Sequence, residues 1–262
     1  MPSEAAELRP TIDRAWLRTV ALQEPLVHAY ASWDLERTPA QVRFASIVVG
    51  GTTVGYLLVW LGHVGRPVVH WFGPWSSCAR LREALPPPPY VLVAPPDVAE
   101  PLGRELRPGR EMPLCLLQRD PGPLPVPGRG VRRLERSDLE ALAGLIGRTD
   151  DPEAAGYASV DPGAEPVWGA FAGPSLIGVA RAAVRLPRIW VLAGLYVDPA
   201  HRGRGTGATL VGEVANEARR NGAPLGLYVR DDAGPAARLY RRLGFVLLAR
   251  RHWLEIAVPG VS

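Results

Sequence analysis

The sequence predicts an α/β protein built as two halves. Three observations carry this reading. Apolar runs suited to strands alternate with segments of helical period in both halves. A stretch from Arg119 to Arg129 holds four prolines and two glycines, which neither a helix nor a central strand tolerates. In the second half, an apolar strand runs through a glycine-rich turn into an amphipathic helix. The expected division is an N-terminal α/β domain over 1–120, a semi-rigid linker over 121–130 and a second domain over 131–262.

In the first half, helical spacing covers 12–30. Strands at 42–49 and 53–61 flank Gly50-Gly51, a pair that suits a tight hairpin turn. A strand at 67–72 follows. A helix over 77–85 stops at four consecutive prolines, 86–89. A strand at 90–94, a helix at 97–106 and a strand at 112–118 complete this half. Trp33, Trp60, Trp71 and Trp75 crowd it, and core packing is the simplest use for so much ring area.

The second half opens with a strand at 131–134. Ser137 with Glu140 three residues later has the spacing of a capping box, ahead of apolar Leu139, Leu142, Leu145 and Ile146. A polar loop spans 149–166, where Tyr157 either packs or lines a pocket. Strands at 167–172 and 176–185 turn about Gly173-Pro174. The apolar strand 189–197 ends at Asp198-Pro199. A helix over 206–221 buries Ala208, Leu210, Val211, Val214, Ala215 and Ala218 on one face and stops at Asn221-Gly222. A strand at 225–230, a short helix at 235–243 and strands at 245–249 and 253–258 follow. The order of elements echoes the first half, which suggests an old duplication.

Composition limits the function. A hydrophobic fraction of 47% with 21% charged residues belongs to a folded globular chain. The chain has no lysine, so the net charge of +4 at high pI reflects arginine, which does not deprotonate. No run of five like charges occurs, which argues against a nucleic-acid surface. Cys78 and Cys115 have no disulfide or metal-ligand spacing, and buried thiols are expected. No metal is expected. The first residues lack the apolar core of a signal peptide, and the longest apolar runs are too short to span a bilayer. A cytoplasmic protein that does not engage membranes is therefore expected.

The segment from Leu195 to Ala208 has the chemistry of an anion site. A helix N-terminus presents unpaired N–H groups at the positive end of its dipole. Gly203, Gly205 and Gly207 let the backbone approach a phosphate. Arg202 and Arg204 add charged donors. The glycine spacing differs from that of dinucleotide-binding loops, and the absence of lysine excludes a Walker-type phosphate loop.

This segment resembles the pyrophosphate-binding motif of the GNAT superfamily of N-acetyltransferases, Arg/Gln-x-x-Gly-x-Gly/Ala. Arg202, Gly205 and Gly207 match it, after Val197-Asp-Pro. A second block, Ala236-Ala-Arg-Leu-Tyr-Arg-Arg-Leu-Gly-Phe245, resembles the same family's C-terminal motif. The resemblance covers roughly 130–258. It implies a mixed sheet splayed between strands 189–197 and 225–230, with acetyl-CoA as cosubstrate. The pantetheine arm would pair with the backbone of Leu195 and Val197, beside Tyr196. The diphosphate would rest on Arg202, Gly203, Arg204, Gly205, Thr206, Gly207 and Ala208. Tyr240 would protonate the leaving thiolate. The acceptor would be a primary amine on a small molecule or a protein. Two departures stand out. Many members carry Asn seven residues before that tyrosine, where Ala233 stands here, with Asp231 and Asp232 just before it. Many also place a glutamate base on the central strand, and 189–197 has no carboxylate. These departures motivate an alternative, an acyl-CoA-binding regulator without turnover. The first half has Phe72-Gly-Pro-Trp where a matching turn would lie and is expected to bind no CoA. His201 reads as a polar turn residue.

Overall fold

The structure, a computed structural model, describes residues 6–62, 66–124, 130–149 and 156–258. Much of the Pro/Gly stretch and part of the 149–166 loop lie outside them. The chain divides into two compact units. One takes in Met1–Leu116, Val229–Asp232 and Leu248–Ser262; the other takes in Leu117–Tyr228 and Ala233–Leu247.

In the first unit the strand order is β1 (Glu7–Arg9), β2 (Val42–Val49), β3 (Thr52–Trp60), β4 (Val68–Phe72), β5 (Tyr90–Ala94), β12 (Val246–Ile256) and β6 (Arg110–Arg119). Gly50 and Gly51 both take positive φ, 57° and 77°, as the tight β2–β3 turn requires. β4 and β5 run parallel for three rungs, Val68↔Val91 to His70↔Val93. The far edge of β5 is then covered by the end of the chain, from His252↔Ala94 to Ile256↔Tyr90. The expected pair of C-terminal strands is thus one strand, β12. Polar Arg250, Arg251 and His252 interrupt the apolar pattern without breaking the ladder.

The expected helix over 12–30 is two helices, α1 (Arg14–Gln23) and α2 (Ala29–Arg37). Pro25 explains the break: it has no N–H and keeps Glu24, at φ −127° and ψ 67°, out of the helical region. The helix expected at 77–85 is one turn, α3 (Trp75–Cys78), followed by 3₁₀ geometry over Ala79–Ala84.

One sheet face packs Ile47, Leu57, Trp71, Leu92 and Leu254 against Val98, Ala99 and Leu102 of α4 (Pro96–Leu106). Trp71 is fully buried and stacks on Trp75 at 6.0 Å. Directly paired residues share a face, so Tyr56 and Phe72 stand together on the other side, as do Leu58 and His70. There the Tyr56 ring stacks on Phe72 at 4.3 Å, and its hydroxyl shares a 2.7 Å hydrogen bond with Nδ1 of His28. His70 stacks on Tyr30 of α2. Burial, and then the positive charge of Arg251, push both histidines down to about 4. Asp34 of α2 is buried, and its carboxylate bonds to no described residue. Burial raises it to about 7.

The second unit carries β7 (Val131–Arg133), β8 (Val167–Ala172), β9 (Ser175–Leu186), β10 (Ile189–Val197) and β11 (Leu225–Arg230), adjacent in that order. The first four are antiparallel, and β10–β11 is parallel. α5 (Leu139–Ile146) supplies Leu142 and Leu145 to a core with Tyr157, Val160, Val179 and Tyr196. Its capping box lies two residues earlier than expected. Glu135 and Asp138 form it, not Ser137 and Glu140, because a 3₁₀ turn over Arg136–Asp138 starts the helix. α6 (Thr206–Arg220) packs against β9 and β10, burying Leu210, Val211, Val214, Ala215 and Ala218. α7 (Gly234–Arg242) follows β11.

Both thiols are free and buried. Among the described residues, no helix is long and apolar enough to cross a membrane, and no group of three or more His, Cys, Asp or Glu is placed to hold a metal.

Candidate functional site

The site grows from an irregularity in β10. This strand pairs with β11 only over Trp190↔Leu225 to Leu192↔Leu227. Immediately beyond, Gly194 adopts φ +60°, and the register against β9 slips between Ala193↔Arg181 and Tyr196↔Val179. Three steps on β10 oppose two on β9, which is a β-bulge. The bulge turns the end of β10 away from its parallel neighbour and leaves a splay at the strand's C-terminal end.

Alternation then orients the backbone. Asp198 N–H bonds to Ile177 O, so Tyr196, two residues earlier, also directs its backbone groups toward β9. Leu195 and Val197 direct theirs the other way, into the splay. The Val197 carbonyl there accepts a 2.8 Å hydrogen bond from Nε of Arg202. The Arg202 guanidinium lies 5.8 Å from the centre of the Tyr196 ring. Arg202 therefore braces the turn onto the strand it follows.

The turn itself leaves amides unclaimed by side chains. Asp198 caps a short 3₁₀ segment by accepting from Ala200 N–H at 3.0 Å. Gly203 and Gly205 follow with φ of +75° and +86°. A side chain on either would meet no atom within 4 Å, so the constraint at these positions is the backbone angle, and the space beside them is open. Gly205 is the N-cap of α6; no side chain caps that terminus and no acid lies in its first turn. The N–H groups of Thr206, Gly207 and Ala208 are the helix's orphan donors, at the positive end of a 15-residue dipole. Gly207 is close-packed: a Cβ there would lie 3.4 Å from Leu239 of α7 and 3.9 Å from Val197. Arg204 is exposed beside the turn.

Tyr240 is buried on α7, with its ring edge-on to Phe245 at 5.5 Å. Gly244 closes the helix at φ +83°, and Phe245 N–H returns to Tyr240 O. Ala233 is the N-cap of α7. Neither nearby aspartate replaces the asparagine of the resemblance. Asp231 accepts from the Cys115 thiol and pairs with Arg250, which hold it below the usual carboxylate range; Asp232 pairs with Arg230 at 3.4 Å. His201 lies in the 3₁₀ segment, with Nδ1 3.7 Å from Asp198. Tyr157 is a core residue: it is 1% exposed, and its hydroxyl donates to Gly194 O at 2.7 Å. Sequence reasoning missed Gly194, although a glycine inside an apolar strand is a usual sign of a bulge.

The corresponding turn of the first unit is closed. Gly73, at φ +105°, is wedged so tightly that a Cβ would lie 2.7 Å from the Cys78 sulfur and 2.9 Å from Gly55 Cα. The N–H of Trp75, which opens α3, is already bonded at 2.9 Å by the Asp97 carboxylate. The protein's own anion occupies the position that the second unit leaves open.

Residues 131–245 match the model of the acetyltransferase (GNAT) family. Among solved structures, the chain is similar to a Drosophila protein from a structural genomics programme, with 15% identity, a TM-score of 0.68, and 97% and 99% of the two chains covered. It is similar to a putative GNAT-family acetyltransferase from Novosphingobium aromaticivorans, with 23% identity, a TM-score of 0.58, and 87% and 96% covered. It is also similar to a tandem GNAT protein of the clavulanic acid biosynthesis pathway, with 16% identity, a TM-score of 0.52, and 95% and 98% covered. These likenesses establish a GNAT-like fold and accord with a two-domain arrangement. No curated protein matches the sequence.

Proposed function

We propose that the second unit is a GNAT-type domain that transfers an acetyl group from acetyl-CoA to a primary amine. The carrying observation is the uncapped N-terminus of α6, reached through a glycine turn from a strand that has just left its parallel neighbour. The residues suit the cosubstrate. Amides over 203–208, with Arg204 beside them, match a diphosphate. The backbone edge of Leu195 and Val197, with Tyr196 between them, matches the amides of a pantetheine arm, much as a sheet edge accepts an added strand.

Chemically, a neutral amine attacks the thioester carbon. The C–N bond forms, the oxyanion collapses and the C–S bond breaks. The sulfur takes a proton from Tyr240, and the proton lost by nitrogen leaves to water. Because β10 holds no carboxylate, no Asp or Glu of that strand serves as the base. An alternative reading, a regulator that binds acyl-CoA without turnover, is favoured by that absence together with Ala233.

Calorimetric titration with CoA at near-physiological salt tests the binding step. One equivalent is expected, because Asp97 fills the turn of the first unit. A second equivalent contradicts the role given to Asp97, and no association removes the functional reading. CoA release from acetyl-CoA across a panel of amines then separates enzyme from regulator.

A further inference from the structure

The bond between Tyr157 and Gly194 joins two residues far apart in sequence at the β-bulge that precedes the C-terminal end of β10. We propose that Tyr157 is a positioning residue for the acyl group: by holding the Gly194 carbonyl, it aims the Leu195 N–H at the thioester carbonyl. This deepens the acyl-transfer reading and rests on it.

The argument is geometric. The Gly194 carbonyl and the Leu195 N–H belong to one planar trans peptide, so they point in opposite directions and turn as a unit. The carbonyl is held at 2.7 Å by a phenol that is itself 1% exposed. The N–H must therefore point away from Tyr157. Gly194 alone would not fix that direction, because glycine at φ +60° has the freest backbone of any residue. Tyr157 removes the freedom. Its ring fills the space beside the glycine so closely that a Cβ would lie 2.8 Å from Cε2 and 3.0 Å from the hydroxyl oxygen.

The ring is secured in turn. It sits in the core with Leu142, Leu145, Val160 and Tyr196. The Arg181 guanidinium lies 5.7 Å from its centroid and pairs with Glu165 at 3.4 Å. Rigid support of this kind is what a hydrogen-bond donor to a developing oxyanion requires, since misalignment forfeits the interaction.

The test needs no acceptor. Acetyl-CoA carrying ¹³C at the acetyl carbonyl is bound to the wild type, to Tyr157→Phe and to Val160→Ala. The carbonyl stretch is read by infrared difference spectroscopy, and affinity for unlabelled CoA is read by calorimetry. In the wild type the bound carbonyl band moves to lower frequency, as a hydrogen-bonded carbonyl does. Tyr157→Phe keeps the ring and is expected to lose most of that shift, while its CoA affinity stays within about twofold because the diphosphate contacts are untouched. Val160→Ala trims the same core without touching Gly194 and is expected to keep the shift. A retained shift in Tyr157→Phe overturns the proposal, as does an equal loss in Val160→Ala. Bound acetyl-CoA with no shift in the wild type overturns it too, while leaving CoA binding standing. If the wild type binds no CoA, the functional reading fails first and takes this inference with it.

Discussion

Replacing Asp34 with asparagine should stabilise the protein at alkaline pH far more than at acid pH. The carboxyl is buried, bonds to no described residue and is pushed up to about 7 by burial. An unfolded chain ionises it near 3.8. Between those values the folded state keeps a proton that the unfolded state has released, so stability falls as pH rises through the window and levels off above about 7. The gap is about three pH units, and at ~1.4 kcal/mol per unit the full cost is about 4 kcal/mol. Measurements at pH 5 and pH 8 sample about 3 kcal/mol of it. Asparagine cannot ionise and keeps the shape, so the stability difference between variant and wild type should grow in the variant's favour by that amount from pH 5 to pH 8. Urea unfolding followed by tryptophan fluorescence provides the measurement. Comparing differences cancels every other titrating group and any pH-independent cost of the amide. An identical difference at both pH values would refute the reasoning.

His28 and His70 act in the opposite direction. They are neutral in the fold down to about 4 but protonate near 6.5 when unfolded, so the stability they allow is complete above about 6.5 and is lost as pH falls toward 4. His70→Phe should flatten that acid limb, and an unchanged slope in urea unfolding would exclude the assignment. Tyr240→Phe should lower turnover by about 10²-fold or more while leaving acetyl-CoA affinity nearly unchanged, since it removes a proton donor and keeps the ring that meets Phe245. Initial rates with an amine that supports CoA release check this; equal rates would remove Tyr240 from the mechanism. Deleting residues 248–262 should unfold the first unit, because it strips the partner of β5 together with buried Leu254 and Ile256. Loss of near-UV circular dichroism from the buried aromatic cluster reports this, and a retained spectrum would count against it.

Local rhythm made much of the molecule legible. The strand expected at 189–197 and the hairpin about Gly50-Gly51 were found there, because apolar runs and turn glycines state both ends of such elements. The glycine turn at 203–207 was legible for the same reason: positive φ at Gly203 and Gly205 is a demand that only certain residues meet. Reading failed where the deciding partner was distant or the punctuation was outvoted. Helical spacing ran through Pro25 and hid the break. A three-residue strand such as β1 has too few positions to show a period. Nothing near residue 252 announces that β12 will pair with β5, some 160 positions earlier. The hold of Tyr157 on Gly194 is likewise a meeting of two loci with no shared local pattern. Asp34 was missed because an acidic residue on a helix is ordinarily a solvent-facing one.

The origin of β12 also sets a timetable for biosynthesis. The first unit is translated almost whole before the second begins, yet the strand that closes its β5 edge is translated only after the second unit. The nascent first unit must therefore wait, with a raw strand edge open to chance pairing, until β12 has been made and has emerged from the ribosome.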